Sequence, residues 1–145
     1  MKILIINGPN LNMLGTREPE KYGFETLADI EKELYAYSFE LSVDIETFQS
    51  NIEGEIIDKI QKANFGFDGI VINPGGYSHT SVAIRDAISA VNLPCIEVHM
   101  TNVHAREEFR HNSLIAPVCI GQITGFKKNV YKLGLSAICE YLNSK

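Results

Sequence analysis

Two kinds of apolar pattern alternate along the chain. Short continuous apolar runs are typical of strands covered on both faces, and they occur at residues 2–7, 69–73, 94–99 and 117–121. Longer segments with apolar residues three and four positions apart predict helices at about 26–38, 51–65, 80–91 and 126–142. Residues 41–47 instead alternate apolar and polar positions, which predicts a half-exposed strand near a sheet edge.

Typical capping residues lie at two of the predicted helix starts. Thr26 precedes the first helix and Asp29 follows three positions later, as in a capping box. Either Ser50 or Asn51 is expected to cap the second helix. A short polar helix is predicted at about residues 104–110, between the fourth and fifth strands.

The order of these elements predicts the fold class. Strand and helix alternate five times without a repeat, linker or low-complexity segment, so residues 1–145 are expected to form a single domain. Parallel βαβ units with right-handed crossovers build a doubly wound α/β sheet. Five strands suit the flavodoxin-like order 2-1-3-4-5, which places the alternating second strand at an edge. We therefore expect a flavodoxin-like, doubly wound five-stranded parallel sheet.

The first strand ends at Asn7 and is followed by a long loop, residues 8–23. The loop carries amide, guanidinium and phenol groups, on Asn10, Arg17 and Tyr22, separated by glycines and prolines. Loops of this length without regular structure are usually lids, binding loops or disordered segments. Because this loop is rich in reactive polar groups, we expect it to be an active-site lid.

Polar side chains also follow the third and fourth strands. In open α/β sheets, ligands bind beyond the carboxyl ends of the strands, near the point where the strand order reverses. Asn73 and the glycine-bearing segment 74–81 follow the third strand, and His99 ends the fourth, whereas the end of the second strand is less distinctive. Three polar clusters on one rim of the sheet predict a functional site there.

Glu97 and His99 are two residues apart and therefore share one face of the fourth strand. A carboxylate beside an imidazole fixes its tautomer and raises its basicity, which suits a general acid. The alternative is a structural ion pair at a strand end. The position on the functional rim favours the catalytic interpretation.

Three further basic residues are candidates for ligand contact. His79 lies at the start of the third helix, where free backbone N–H groups favour an anion or a hydroxyl, although it could be an ordinary helix-start residue. Arg106 and Arg110 are four positions apart on the predicted short helix and would share a face. They either form a solvated, salt-bridged surface or turn inward to bind a carboxylate.

Tyr22 is a candidate base. A phenol is a poor base at neutral pH, and holding it as phenolate needs a positive charge nearby. Arg17 lies in the same loop and could supply that charge when the loop closes over the site. The alternative is an exposed tyrosine beside a solvated arginine.

Composition excludes several classes of function. A net charge of −5 argues against binding to the phosphate backbone of nucleic acids, and no apolar run approaches the ~20 residues of a membrane span. No secretory signal is recognised at the N-terminus. The three widely spaced cysteines, Cys95, Cys119 and Cys139, are expected to be buried reduced thiols, as in a cytoplasmic protein.

Several cofactor motifs are absent from the sequence. The chain has neither G-x-G-x-x-G after its first strand nor G-x-x-x-x-G-K-[ST], and no Cys/His spacing resembles a zinc site. We therefore expect no dinucleotide, ATP or metal site and no cofactor. A flavin-binding or ligand-binding flavodoxin-like module without catalysis is the alternative to an enzyme.

Three ordered blocks of residues resemble the type II 3-dehydroquinate dehydratase family. The blocks are Gly8-Pro9-Asn10-Leu11-Asn12 with Gly15-Thr16-Arg17-Glu18-Pro19 and Tyr22-Gly23; Asn73-Pro74 with Tyr77-Ser78-His79-Thr80-Ser81 and Arg85-Asp86; and Glu97-Val98-His99 with Asn102-Val103-His104-Ala105-Arg106-Glu107. Each lies at a predicted strand end or in the helix beyond it, and the resemblance covers essentially the whole chain.

This resemblance implies a hydro-lyase of the shikimate pathway that eliminates water from 3-dehydroquinate, in the anti sense and through an enolate, to give 3-dehydroshikimate. In that reaction Tyr22 removes the proton alpha to the ketone, and Arg17 favours its ionised form. Asn10 holds the enolate through a water. His99, positioned by Glu97, protonates the leaving hydroxyl.

The same resemblance implies a set of substrate-binding residues, namely Asn73, His79, Asp86, Met100, Thr101 and Arg110. Asp86 is expected to act across a subunit boundary, because the family assembles as a dodecamer of trimers. No metal, cofactor or Schiff-base lysine is used, and the expected location is the cytoplasm. Thr101 stands where serine is expected, and Gly75-Gly76 replaces a usually less flexible pair.

Overall fold

The computed structural model describes all 145 residues, and its centre is a parallel sheet of five strands. The strands are β1 (Lys2–Asn7), β2 (Asp44–Gln49), β3 (Gly69–Asn73), β4 (Cys95–His99) and β5 (Gly121–Thr124). Their spatial order is β2-β1-β3-β4-β5, and every neighbouring pair runs parallel. The predicted flavodoxin-like order 2-1-3-4-5 is therefore confirmed, with β2 at one edge.

Helices cover both faces of the sheet. They are α1 (Pro19–Tyr22), α2 (Leu27–Glu40), α3 (Glu53–Ala63), α4 (Val82–Ala90) and α5 (Asn129–Asn143). Helices α2 and α5 pack on one face, and α3 and α4 pack on the other. Along β1, Ile3 and Ile5 contact the first pair, while Leu4 and Ile6 contact the second. Since both faces are buried, the central strands are apolar at almost every position.

The fifth strand begins later than predicted. A 3-10 turn, Ala116–Val118, occupies the start of the apolar run that predicted a strand at 117–121. Proline cannot donate to a strand ladder, and pairing starts only where the Ile120 N–H donates to the Cys95 carbonyl at 2.8 Å. The predicted range is therefore wrong, and the strand is shifted toward the C-terminus.

A helix at residues 104–110 was also predicted wrongly. This segment forms two 3-10 turns, Val103–Ala105 and Glu108–Arg110, separated by Arg106, whose backbone is extended (φ −111°, ψ −164°). Because the chain straightens at Arg106, this residue and Arg110 do not share a helix face. Helical spacing therefore does not relate the directions of these two side chains.

The predicted capping box of α2 is confirmed. Thr26 Oγ1 accepts the Asp29 N–H at 3.2 Å, and Asp29 Oδ2 accepts the Thr26 N–H at 3.1 Å. The predicted cap of α3 is wrong, because neither Ser50 nor Asn51 caps that helix. Ile52 occupies the cap position, and Ser50 Oγ instead accepts the Ile52 N–H at 2.9 Å in a tight turn before the helix.

The loop after β1 has more regular structure than its sequence suggests. Leu11 and Leu14 are buried in the core between the sheet and helices α2 and α5. The segment from Leu11 to Gly23 contains a 3-10 turn, Leu11–Met13, and the short helix α1. The expectation of an irregular loop is therefore wrong, although the segment does border the rim of the sheet.

The ends of β1 and β3 approach each other closely at Gly8. Its N–H donates to the Asn73 carbonyl at 2.8 Å, and a Cβ at this position would lie 2.5 Å from the Pro74 carbonyl oxygen. A side chain does not fit so near another backbone segment. Gly8 therefore sets how near the two strand ends come, and these ends carry the site.

Replacing Gly8 with alanine should destabilise the fold by about 2 kcal/mol, because the new methyl group must push two backbone segments apart. Gly54→Ala is the matched control, since a Cβ there meets no atom within 4 Å and alanine is the better helix former in α3. Urea unfolding should give a lower midpoint for Gly8→Ala and an equal or higher midpoint for Gly54→Ala. Equal loss of stability in both variants would contradict the close approach at Gly8.

Candidate active site

A pocket lies beyond the carboxyl ends of β1, β3 and β4, where the strand order reverses. It is lined by nine of the residues predicted for the site, namely Asn10, Arg17, Tyr22, Asn73, His79, His99, Met100, Thr101 and Arg110. Glu97 lies behind His99, in contact with its ring. Asp86 is exposed on α4 outside this pocket, and its role across a subunit boundary stays a prediction.

Glu97 is fully buried on β4 and is surrounded by hydrogen-bond donors. His99 Nε2 lies 2.6 Å from Oε2, Ser113 Oγ lies 2.9 and 3.0 Å from the two oxygens, and Gln122 Nε2 donates to Oε1 at 3.2 Å. Ser78 Oγ also donates to Oε2. Burial raises the pKa of the Glu97 carboxyl, but hydrogen bonds from His99 and the two serines outweigh burial and hold that pKa below its usual value. The carboxylate is therefore ionised at neutral pH.

His99 ends β4 and is buried against Glu97. Because a carboxylate only accepts hydrogen bonds, the Nε2 atom that faces it carries a proton. Ser78 Oγ lies 3.1 Å from the same nitrogen. The other ring nitrogen, Nδ1, has no partner within the protein, and it is the nitrogen left for a ligand in the pocket.

His79 lies beside His99, with the two ring planes 23° apart and the centroids separated by 6.1 Å. Its Nδ1 is 2.8 Å from the Asn112 carbonyl oxygen, and since a carbonyl only accepts, Nδ1 carries the proton. Burial lowers the pKa of the His79 imidazole, the bond to Asn112 opposes this, and the nearby His99 and Arg110 lower the pKa further. The ring is therefore neutral at pH 7, with Nε2 free to accept.

Tyr22 ends α1 and contacts two guanidinium groups in the pocket. Arg17 Cζ lies 4.7 Å from the ring centroid, whereas Arg106 Nη1 donates to the phenol oxygen at 2.9 Å. The sequence predicted Arg17 as the source of positive charge near Tyr22, and the structure places its guanidinium against the ring face. The hydrogen bond to the phenol oxygen comes from Arg106.

From the sequence, Arg106 could be either a solvated surface residue or a ligand-binding one, and it was not assigned to the site. The side chain turns inward and is 11% exposed; Nη1 also lies 3.3 Å from Thr101 Oγ1, and Nε is buried without a hydrogen-bond partner. The nearest carboxylate oxygen, from Glu107, is 3.6 Å from Nε. A buried, incompletely paired cation favours binding of an anion. Helical periodicity could not identify Arg106 because its backbone is extended.

Asn10 enters the pocket from a left-handed backbone conformation (φ 72°), which asparagine tolerates better than most residues. Asn51 Oδ1 accepts the Asn10 N–H at 2.9 Å, and Gln49 Nε2 donates to the Gly8 carbonyl at 3.1 Å. The Tyr77 hydroxyl in turn donates to the Asn51 carbonyl at 2.8 Å. The end of β2, which carried no distinctive motif, therefore fixes the start of the loop.

Asn73 is buried at the end of β3, and two of its polar contacts are internal. Its Oδ1 accepts the Gly75 N–H at 3.2 Å, and its Nδ2 donates to the Tyr131 hydroxyl at 3.0 Å. Met100 and Thr101 directly follow β4 and line the pocket beside it. Arg110 donates through Nε to Glu107 Oε1 at 3.2 Å, which leaves its terminal nitrogens for a ligand.

The rest of the chain carries no metal cluster and no membrane-spanning helix. No group of three or more His, Cys, Asp or Glu side chains is arranged to hold a metal ion. No helix has the length and apolar character needed to cross a membrane. All three cysteines are free; Cys95 and Cys139 are buried as predicted, whereas Cys119 is partly exposed because it follows a 3-10 turn rather than lying in a strand.

The sequence matches the family model described as Dehydroquinase class II over residues 1–139. A 3-dehydroquinate dehydratase from Geotalea daltonii is 57% identical over 142 residues, which are 98% of this chain and 99% of the relative. The 3-dehydroquinate dehydratase of Synechocystis is 52% identical over 144 residues, which are 99% of this chain and 95% of the relative.

Solved structures agree with the sequence comparison. A type II dehydroquinase from Butyrivibrio crossotus is similar with a TM-score of 0.94 at 51% identity, covering 96% of this chain and 97% of that chain. A 3-dehydroquinate dehydratase-like protein from Bifidobacterium longum is similar with a TM-score of 0.74 at 28% identity, covering 100% of this chain and 99% of that chain. The resemblance found in the sequence is confirmed, and the chain belongs to the class II dehydroquinase family.

Proposed function

We propose that this chain is a type II 3-dehydroquinate dehydratase, a hydro-lyase that converts 3-dehydroquinate to 3-dehydroshikimate in the shikimate pathway. One observation carries the proposal: a phenol held by arginine and an imidazole backed by a buried carboxylate share one pocket. The phenol, once ionised, can remove a proton next to a ketone. The imidazole can protonate the hydroxyl that departs.

Tyr22 is the proposed base. Its hydroxyl accepts a hydrogen bond from the Arg106 guanidinium, so a positive charge lies beside the oxygen that takes the proton. Arg17 lies over the ring and adds positive potential at the same group. The phenolate takes the proton alpha to the ketone, and the electron pair of the broken C–H bond moves onto the ketone oxygen as an enolate.

The enolate oxygen needs hydrogen-bond donors where its charge develops. Asn10 lines the pocket with its side chain while its backbone is held by Asn51. We assign Asn10 to the enolate, through a bridging water. We propose no cofactor for this step, because the base and the oxyanion donor are side chains of the chain itself.

His99 is the proposed acid. Its Nε2 proton is held by Glu97, so the ring acts as an imidazolium that gives its second proton, on Nδ1, to the leaving hydroxyl and is left neutral. As the enolate collapses, the C–O bond breaks, a carbon–carbon double bond forms and water departs. The base belongs to α1 and the acid to β4, and groups on separate elements suit an anti elimination, in which hydrogen and hydroxyl leave from opposite faces.

The remaining pocket residues suit an anionic substrate that carries several hydroxyl groups. Arg110 offers a guanidinium for a carboxylate or hydroxyl, and the neutral His79 offers Nε2 as an acceptor. We propose that these two bind the substrate together with Asn73 and the backbone around Met100 and Thr101. The family is expected to carry serine at position 101, and the additional methyl group of Thr101 reduces the space in the pocket there.

We propose that the chain assembles as a dodecamer of four trimers and acts in the cytoplasm. The assembly is the one that the family resemblance implies, and Phe24, Phe39 and Phe65, which are 81%, 86% and 88% exposed in the single chain, are available for contacts between chains. Asp86, exposed on α4, would then serve the site of a neighbouring subunit. The three free thiols fit a reducing compartment.

Purified protein should produce the ultraviolet absorbance of the conjugated enone from 3-dehydroquinate, and Tyr22→Phe should lower that turnover by roughly 10²- to 10⁴-fold, the usual contribution of an acid–base group. Tyr141→Phe, on the exposed side of α5, is the matched control and should retain full activity. Substantial turnover by a folded Tyr22→Phe variant would show that the base is misassigned. A yellow flavin spectrum without enone formation would favour the ligand-binding alternative.

Glu97→Gln should lower the free energy of unfolding by about 2 kcal/mol at pH 7, because a carboxamide removes the charge and keeps only one of the two oxygens that accept from His99, Ser78, Ser113 and Gln122. The folded-state pKa of Glu97 is depressed, so its stabilisation is complete above the unfolded carboxyl pKa of about 4.3 and is lost as pH falls through the folded value. The deficit should therefore shrink in urea titrations at progressively lower pH. Glu140→Gln, exposed on α5, should match the parent throughout; a pH-independent deficit would argue against an ionised Glu97.

Light scattering during size-exclusion chromatography should report a mass twelve times the chain mass of 16.2 kDa. Asp86→Ala should keep this mass while raising KM, because the residue is proposed to serve a neighbouring subunit. A fully active monomer would contradict both the assembly and the role of Asp86.

A further inference from the structure

A buried tyrosine of α5 reaches the point where the strand order reverses. Tyr131 is 1% exposed, and its ring belongs to the core between the sheet and helices α2 and α5. Its hydroxyl donates to Asn7 Oδ1 at 2.5 Å and accepts from Asn73 Nδ2 at 3.0 Å. Asn7 and Asn73 are register partners at the ends of β1 and β3. One phenol therefore joins the two strand ends beneath the pocket.

The hydrogen-bond donors and acceptors of Asn7, Tyr131 and Asn73 can pair in only one way. Burial raises the pKa of the Tyr131 phenol far above the working pH, so the hydroxyl keeps its single proton. That proton goes to Asn7 Oδ1, and the phenol oxygen is left as an acceptor for Asn73. Asn73 Oδ1 is occupied by the Gly75 N–H at 3.2 Å. The Asn73 carboxamide consequently cannot rotate by half a turn without losing both contacts.

This arrangement decides which polar group Asn73 has left for the pocket that it lines. A carboxamide has one oxygen and two N–H groups. Gly75 uses the oxygen and Tyr131 uses one N–H, which leaves the second N–H of Asn73. A donor at this position selects a ligand oxygen and would leave a ligand N–H unpaired.

We infer that Tyr131 is a positioning residue for substrate binding, which acts through Asn73 to fix a hydrogen-bond donor in the pocket for an oxygen of the substrate. The inference rests on the proposed function, because it uses 3-dehydroquinate as the ligand. A purely structural role of Tyr131 would affect only the stability of the fold. A positioning role also affects substrate binding, because a misplaced Asn73 binds the ground state and the transition state less tightly to the same extent. Such uniform loss raises KM and leaves kcat nearly unchanged.

The test is steady-state kinetics of Tyr131→Phe in the assembled enzyme. Removing the hydroxyl frees the Asn73 amide, and KM should rise roughly five- to tenfold, the worth of one hydrogen bond, while kcat stays within about twofold. Tyr37→Phe is the matched control, because the Tyr37 hydroxyl bonds Ser136 Oγ of α5 at 2.5 Å, away from the pocket. It should cost stability without changing KM.

Asn7→Ala is the second variant, and it keeps the Tyr131 ring in the core. Without its acceptor on Asn7, the phenol proton can be satisfied only if the Asn73 carboxamide turns its Oδ1 away from Gly75 and toward the phenol, and KM should rise as well. Asn73→Ala should raise KM itself and abolish the effect of either other substitution, because both act through Asn73.

The outcomes separate the inference from the function on which it rests. A parent protein that makes no enone from 3-dehydroquinate overturns the proposed function. With an active parent, the inference is overturned if folded Tyr131→Phe and Asn7→Ala keep the parent KM. It is also overturned if their effects on KM persist undiminished in the Asn73→Ala background.

Discussion

A single buried carboxylate is the constraint on which the site depends. Glu97 is inaccessible to solvent, and an unpaired charge there would cost several kcal/mol. Its donors come from separate segments: His99 from β4, Ser78 and Ser113 from two loops, and Gln122 from β5. Satisfying one charge therefore ties two loops and an edge strand to β4. His99, the proposed acid, is held rigidly as a consequence, and its free Nδ1 faces the pocket.

The side of the pocket that carries Tyr22 contains arginine side chains whose positive charge is incompletely paired within the protein. Arg17 and Arg106 both contact Tyr22, and Arg106 Nε has no hydrogen-bond partner. The chain has a net charge of −5, yet Arg110 adds a third guanidinium to this pocket. These three guanidinium groups would attract an anionic substrate of the proposed class.

Apolar periodicity was sufficient to predict the strands of the sheet, because strands covered on both faces are apolar at almost every position. The alternation of strand and helix then favoured the flavodoxin-like order, which places Asn73 and His99 on one rim. It could not predict contacts made by irregular segments. Arg106 and Tyr22 are 84 positions apart, and Asn10 and Asn51 are 41 apart, and no period relates such residues. The role of Tyr131 could not be predicted for another reason. Its ring fits the apolar pattern of α5, and the contacts of its hydroxyl depend on the three-dimensional fold.

The central claim is that Tyr22 removes the proton and His99 expels the hydroxyl. Proton NMR of 3-dehydroquinate in D₂O, with His99→Ala and Tyr22→Phe enzymes, tests this division directly. His99→Ala should exchange the hydrogen alpha to the ketone for deuterium without forming the enone, because the enolate forms but cannot release water. Tyr22→Phe should show neither exchange nor enone. Exchange that persists in Tyr22→Phe and is lost in His99→Ala would contradict the account, because the two roles would be reversed.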